Sequence, residues 1–298
     1  MERVMNQNKS EKGKYVIWVF LPIIIAYVIQ IILEIMAAQG AVVYVMAMFK
    51  GTTGAEMIQD INDIIVSGTF NSLIQVVYAI VIAIVFGFIY KKLFKMDSKF
   101  EFFKSSLNPA ITITGIVLMA IAFQYICTYL MAAIVVAFPD WYTEYMQLLE
   151  NAGIGESMSL LMGLYAVLLG PICEELLFRG VTLTAALKTF PVPVAIVLQA
   201  VLFGAYHRNM LQGCYTFVFG LAVGYIMYLY DDIVIAIIIH IVYNILGTYL
   251  SRFLPTGGNT VISYFSWLLG SLIVGYFAVM LLKRGSAKVN NQDNFDDI

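Results

Sequence analysis

Glu174, Glu175 and Arg179 interrupt an apolar run that begins near Met158, in the stretch GPICEELLFRG from Gly170 to Gly180. An ionised side chain at the centre of a membrane helix costs roughly 2.5 to 3.5 kcal/mol, so three of them together point to a function. On a helix, Glu175 and Arg179 are i and i+4 and stack on one face, where a charge-assisted pair neutralises both. That pair reads as structural. Glu174 points about 100° away, with no cation on its own face within a turn, and needs a partner from another helix. The chain has only two histidines, and both follow at helical spacing from a marked neighbour: Phe203 with His207 in FGAYH, and His240 with Asn244 in HIVYN. Each pair shares a helix face.

A carboxylate, two imidazoles and a carboxamide suit one kind of reaction in particular. Hydrolysing a peptide bond inside a bilayer needs an activated water, a proton carrier for the leaving amine, and donors for the tetrahedral oxyanion. In a metal version, neutral His207 and His240 with Glu174 make a His2Glu set around zinc and leave one position open for water. In a metal-free version, Glu174 takes the proton from water with help from His207, while His240 and Asn244 donate hydrogen bonds to the oxyanion. The residue types accommodate both, and the slight preference is for the metal-free roles of His240 and Asn244.

These residues must be carried on membrane helices. Across 298 residues, 61% are hydrophobic and only 12% charged, against about 25% charged in soluble domains. The expected fold class is therefore all-α, a polytopic bundle of about eight transmembrane helices. The net charge of −2 and the lack of a basic block exclude nucleic acid as a partner. Cys127, Cys173 and Cys214 have no CxxC spacing and read as small core residues.

With about 20 apolar residues as the ruler for a span, the candidates are 15–36, 70–90, 109–138, 158–187, 192–207, 212–230, 233–253 and 262–282. The stretch Ala41 to Phe49 is too short to span; it extends the first helix or lies at the interface. Asp97 to Asn108, with phenylalanines among lysines, reads as an interfacial helix, and 285–298 as a disordered tail. Basic residues in the N-terminal segment 1–14, in Lys91 to Lys104 and after Lys283 place both termini in the cytoplasm, with the protein in the cell membrane. Gly220 and Gly224 read as a close-packing GxxxG, and Gln30, Glu34, Gln75, Gln124 and Gln199 as interhelical or snorkelling groups.

Counted from the Lys188 to Pro191 turn at 1.5 Å per residue, Glu174 is ~21 Å deep and His207 ~24 Å, nearly level. His240 lies only ~12 Å past Asp232 on the same measure, and Asn244 one turn further. A straight-helix ruler does not bring His240 to Glu174.

In order along the chain, EExxxR (Glu174, Glu175, Arg179), FxxxH (Phe203, His207) and HxxxN (His240, Asn244) resemble the motifs of the CPBP intramembrane metalloprotease family. That family takes in type II CAAX prenyl endopeptidases and bacterial Abi-type, bacteriocin-processing and lysostaphin-resistance proteins. The resemblance covers roughly Met158 to Tyr249. It implies a membrane-embedded catalytic core over 158–253, flanked by motif-free helices over 15–157 and a last helix within 254–284. By position, Glu174 matches the family's catalytic glutamate, and His207, His240 and Asn244 its other polar site residues. The expected substrate is a membrane-associated peptide or protein, and the expected cofactor, in the metal reading, is Zn2+. The competing reading is a non-catalytic membrane scaffold that regulates a sensor kinase or a secretion or peptide-processing partner; loss of motif residues would favour it, and here all are intact. A transporter, the third reading, is disfavoured by the lack of an internal repeat.

Overall fold

The computed structural model describes residues 2–94, 106–155, 158–255, 257 and 260–287, with side chains from Gly13 onward. Among the described residues there are helices and no β-strand, only an isolated bridge between Ser106 and Ser286. We number the helices α1 (Glu2–Met48), α2 (Gly54–Ile65), α3 (Gly68–Phe94), α4 (Pro109–Ala137), α5 (Pro139–Asn151), α6 (Leu160–Leu187), α7 (Val192–Tyr206), α8 (Met210–Tyr230), α9 (Ile233–Phe253) and α10 (Val261–Gly285). Seven of these, all but α2, α5 and α7, are long and apolar enough to cross a membrane. The outward faces carry apolar side chains such as Ile24, Ile84, Phe88, Leu269 and Tyr276, as a lipid-facing surface requires.

Local chemistry sets the helix ends. Ser159 caps α6 by accepting from Met162 N, and Asn209 caps α8 by accepting from Gln212 N. Pro191 precedes α7 and Pro193 lies in its first turn, where a missing N–H is harmless. Two of the connections between spans are themselves helical. Thr53 and Glu56 form a capping box that starts α2, and Pro139 and Asp140 start α5. Neither helix buries a residue, so both are amphipathic surface helices. The apolar piece from Ala41 is a continuation of α1. The expected interfacial helix from Asp97 falls largely, and the expected tail almost wholly, outside the described residues.

Helix α6 is the centre of the bundle. It packs against α1, α3, α7 and α9, and buries Leu177, Phe178, Val181, Leu183, Ala185 and Ala186. Helices α7 and α8 form a close pair: a Cβ on Gly220 would meet Ala200 at 3.2 Å, and one on Gly224 would strike Gln199. The GxxxG thus packs within the bundle, and Gln199 bonds to the carbonyls of Ile196 and Gly220, bridging the two helices. Helix α10 runs along α4, which backs α8 and α9.

Helix α6 departs from regular winding in two places. Tyr165–Leu169 and Leu176–Leu183 are π-helical. Wider i→i+5 turns fit more residues into a given length, which draws Glu174 nearer the 188–191 turn than a straight helix would. Helix α7, at 15 residues, spans only ~22 Å against a hydrocarbon core of ~30 Å. Its C-terminal end, where His207 sits, therefore stops short of the opposite face.

Candidate active site

Glu175 and Arg179 lie one turn apart on α6, and both side chains are fully buried, with Arg179 Nη1 2.9 Å from Glu175 Oε1. No guanidinium nitrogen meets an acceptor at hydrogen-bonding geometry, so the contact is coulombic. The guanidinium also lies 4.4 Å over the ring of Phe203, which gives the FxxxH phenylalanine a cation–π role.

His240 joins this pair from α9. Its Nδ1 is 2.7 Å from the same Glu175 Oε1, and only a ring nitrogen bearing hydrogen can bond to a carboxylate there, so the proton is assigned to Nδ1. The opposite edge, Nε2, is 3.7 Å from Glu174 Oε2. His240 therefore stands between two adjacent glutamates, held by one and presented to the other. Phe203 and Phe219 close its flanks, with ring centroids at 6.1 and 5.1 Å. Glu174 retains 15% side-chain exposure where Glu175 has none. The two neighbours in sequence thus differ in kind: one is sealed in an ion pair, the other opens toward the reactive edge of an imidazole.

His207 sits just past the end of α7. Its Nδ1 is 2.9 Å from the Phe203 carbonyl, one of the carbonyls orphaned by the helix end. The i, i+4 spacing of FxxxH thus works through the main chain, with the proton on Nδ1 and Nε2 left as the acceptor nitrogen. His207 lies within coulombic range of Glu174, His240 and Arg179.

Asn244 is explained by a proline. The Gly170 N–H bonds to the Tyr165 carbonyl in the π turn, so the carbonyl of Ala166 would next need the N–H of residue 171. That residue is Pro171, which has none. Asn244 Nδ2 supplies the missing donor at 2.8 Å. One amide hydrogen is committed there, and the second remains available.

Three tyrosines around Glu174 were not anticipated. Tyr78, Tyr165 and Tyr206 come from α3, α6 and α7, and all lie within coulombic range of its carboxylate. The Tyr78 and Tyr206 hydroxyls bond to each other. Tyr206 directly precedes His207 in FGAYH, the one sequence hint that it belongs here.

The expected zinc set would draw on Glu174 and on the two histidines. Among the described residues no group of three or more His, Cys, Asp or Glu side chains is placed to hold a metal. Both histidines use Nδ1 to bond to Glu175 and to the Phe203 carbonyl, which leaves Nε2 of each as the nitrogen a metal would take. The cysteines are free thiols, and Cys173 gives its hydrogen to the Gly170 carbonyl at 3.2 Å.

Residues 156–246 match the family model described as type II CAAX prenyl endopeptidase Rce1-like, a family of proteases. The match spans just under a third of the chain and contains Glu174, Glu175, Arg179, His207, His240 and Asn244. No curated protein and no solved structure matches the chain.

Proposed function

We propose, from that match and from the placement of His240 between Glu175 and Glu174, that this multi-pass membrane protein is an intramembrane endopeptidase. Its substrates are membrane-associated peptides or proteins, reached within the bilayer, and the termini face the cytoplasm.

In this mechanism Glu174 is the general base. Its carboxylate takes a proton from water, the oxygen bonds to the scissile carbonyl carbon, and the π electrons move onto the carbonyl oxygen. His240, oriented through Nδ1 by Glu175, presents Nε2 to the reacting atoms; as the imidazolium it donates to the oxyanion. The Ala166 carbonyl holds the Asn244 amide in place, leaving its second N–H as another donor. The C–N bond then breaks, and the proton taken by Glu174, directly or through His207 Nε2, goes to the leaving nitrogen. No step passes through a metal. Arg179 neutralises Glu175, so that an uncompensated charge is not left beneath the site.

The observation that carries this reading is the 3.7 Å approach of His240 Nε2 to Glu174 Oε2, with His240 buried and Glu174 part-buried among apolar helices. The test compares peptide and protein termini in membranes of cells carrying wild type or Glu174→Ala at matched abundance. Termini found only with wild type support a protease and identify its substrates. Identical termini, with any phenotype rescued equally by both, refute catalysis and leave the scaffold reading.

A further inference from the structure

Helix α7 ends in four carbonyls that no residue within the helix can serve, and each has a partner. His207 Nδ1 bonds to the Phe203 carbonyl at 2.9 Å. The main-chain N–H of His207 goes to Gly204 at 3.3 Å, and that of Arg208 to Ala205 at 3.2 Å. The last carbonyl, that of Tyr206, accepts from the hydroxyl of Tyr27 at 3.0 Å. That hydroxyl also lies 3.4 Å from the Ala205 carbonyl. Three of the four groups are thus closed by the chain that immediately follows, and the fourth by α1.

The rest of the contact holds the same segment. The Tyr27 and Tyr206 rings stack at 5.7 Å, and the Arg208 guanidinium lies 5.5 Å over the Tyr27 ring. Arg208 has φ 53, a left-handed conformation that a non-glycine residue keeps only when its surroundings hold it there. On its other side, Tyr206 is tied through its hydroxyl to the buried Tyr78 of α3. His207 therefore sits between two residues that are both fixed from outside α7.

We infer that Tyr27 is a positioning residue for His207, with Tyr78 as its counterpart on the far side of Tyr206. The inference rests on the reading of His207 as a member of the active site. It assigns α1 and α3, which lie outside the matched segment and carry no motif, a share in the chemistry. The hydroxyl of Tyr27 does this, because the ring alone would serve for packing.

Tyr27→Phe separates the two. It keeps the stacking on Tyr206 and removes only the donor, and Tyr44→Phe, an exposed hydroxyl on the same helix, is the control. Because the chain has two histidines, protein labelled with 15N-histidine and reconstituted in lipid nanodiscs gives two imidazole signal sets. The expected result is a shift of the His207 set with His240 unmoved. On a peptide cut by wild type but not by Glu174→Ala, kcat falls about tenfold, equal to about 1.4 kcal/mol, with KM little changed. Tyr78→Phe should act in the same direction, and Tyr44→Phe not at all. Unchanged His207 signals with unchanged kcat overturn the inference. So does movement of both histidines together with a lowered unfolding midpoint, which marks a general structural role. A shifted His207 in a protein whose wild type cuts nothing supports the positioning role and refutes the endopeptidase reading.

Discussion

Removal of Arg179 tests how far the site depends on a buried charge. In Arg179→Ala, Glu175 keeps one partner, His240 Nδ1 at 2.7 Å, and loses the cation 2.9 Å away. Removing one member of a buried pair costs about 3–5 kcal/mol, because the charge left behind is uncompensated. Loss of the contact with Phe203 adds to this, since a desolvated cation–π contact is worth about 2 kcal/mol. Against a total stability of about 5–15 kcal/mol, that is enough to lower the amount of folded protein severely. The double variant Glu175→Gln/Arg179→Met should recover most of the loss, because replacing both members of a buried pair by neutral groups is often near neutral. Gln also retains an oxygen to accept from His240. Unfolding in mixed micelles of rising denaturing-detergent content, followed by the fluorescence of the three tryptophans, measures all three proteins. A double variant no more stable than Arg179→Ala would refute the argument, since neutralising Glu175 would then have relieved nothing. If the pair only supports the fold and orients His240, the double variant still cleaves, at a reduced rate.

Other outcomes follow from single contacts. Glu174→Gln should abolish cleavage while leaving the unfolding midpoint near that of wild type, since the contact of Glu174 with His240, at 3.7 Å, is longer than a hydrogen bond; a large loss of stability would give it a structural role. Asn244→Ala should lose about 1–3 kcal/mol by exposing the Ala166 carbonyl to an apolar surround, and much less in a Pro171→Ala background, where an N–H returns at residue 171; equal losses in both backgrounds would sink the account of Asn244. Gly204→Ala should loosen α7 from α8 and reduce turnover, because its Cβ would lie 2.7 Å from the Gly213 carbonyl, three residues before His207; turnover and unfolding midpoint equal to those of wild type would count against it. On the metal-free mechanism, dialysis against a chelator should leave cleavage intact, and elemental analysis should find no stoichiometric zinc; activity lost to the chelator and restored by zinc would establish the His2Glu set instead. For α2, Thr52 and Thr53 N–H groups hold the Glu56 carboxyl below its ordinary value of 4.5. This stabilisation is present above that value and lost as pH falls through the lower folded one, so the exchange protection of the Glu56 and Met57 amides, relative to the intrinsic rate at each pH, should fall on acidification.

Charge in an apolar helix was legible from the sequence because its cost admits few explanations, and the i, i+4 rule assigned Glu175 to Arg179 from spacing alone. The meeting of His240 with Glu174 was not legible, and the reason is local. A ruler of 1.5 Å per residue assumes α-helix, whereas eight residues between Glu174 and the 188–191 turn wind as π-helix. Nothing in LLFRGVTL announces that. The first π segment did leave a trace: Pro171, inside a run read as one helix, removes an N–H and leaves a carbonyl to be served from elsewhere. Asn244 is the residue that serves it, so the HxxxN spacing combines two tasks on one face of α9. His240 reaches the glutamates, and one turn later Asn244 repairs the backbone of the helix that bears them. A motif of this kind ties the chemistry to the irregular winding of α6. Glu174 lies between the two π segments, and the residue that serves the first of them belongs to the same short stretch as the histidine that meets Glu174. Tyr27 had no such trace, because a tyrosine in an apolar span has the same appearance whether its hydroxyl faces lipid headgroups or a helix end. Its role depends on α7 stopping at Tyr206, short of a full span. That short helix was visible in the sequence, and its unsatisfied carbonyls are the physical reason a donor from a motif-free helix is needed at the site.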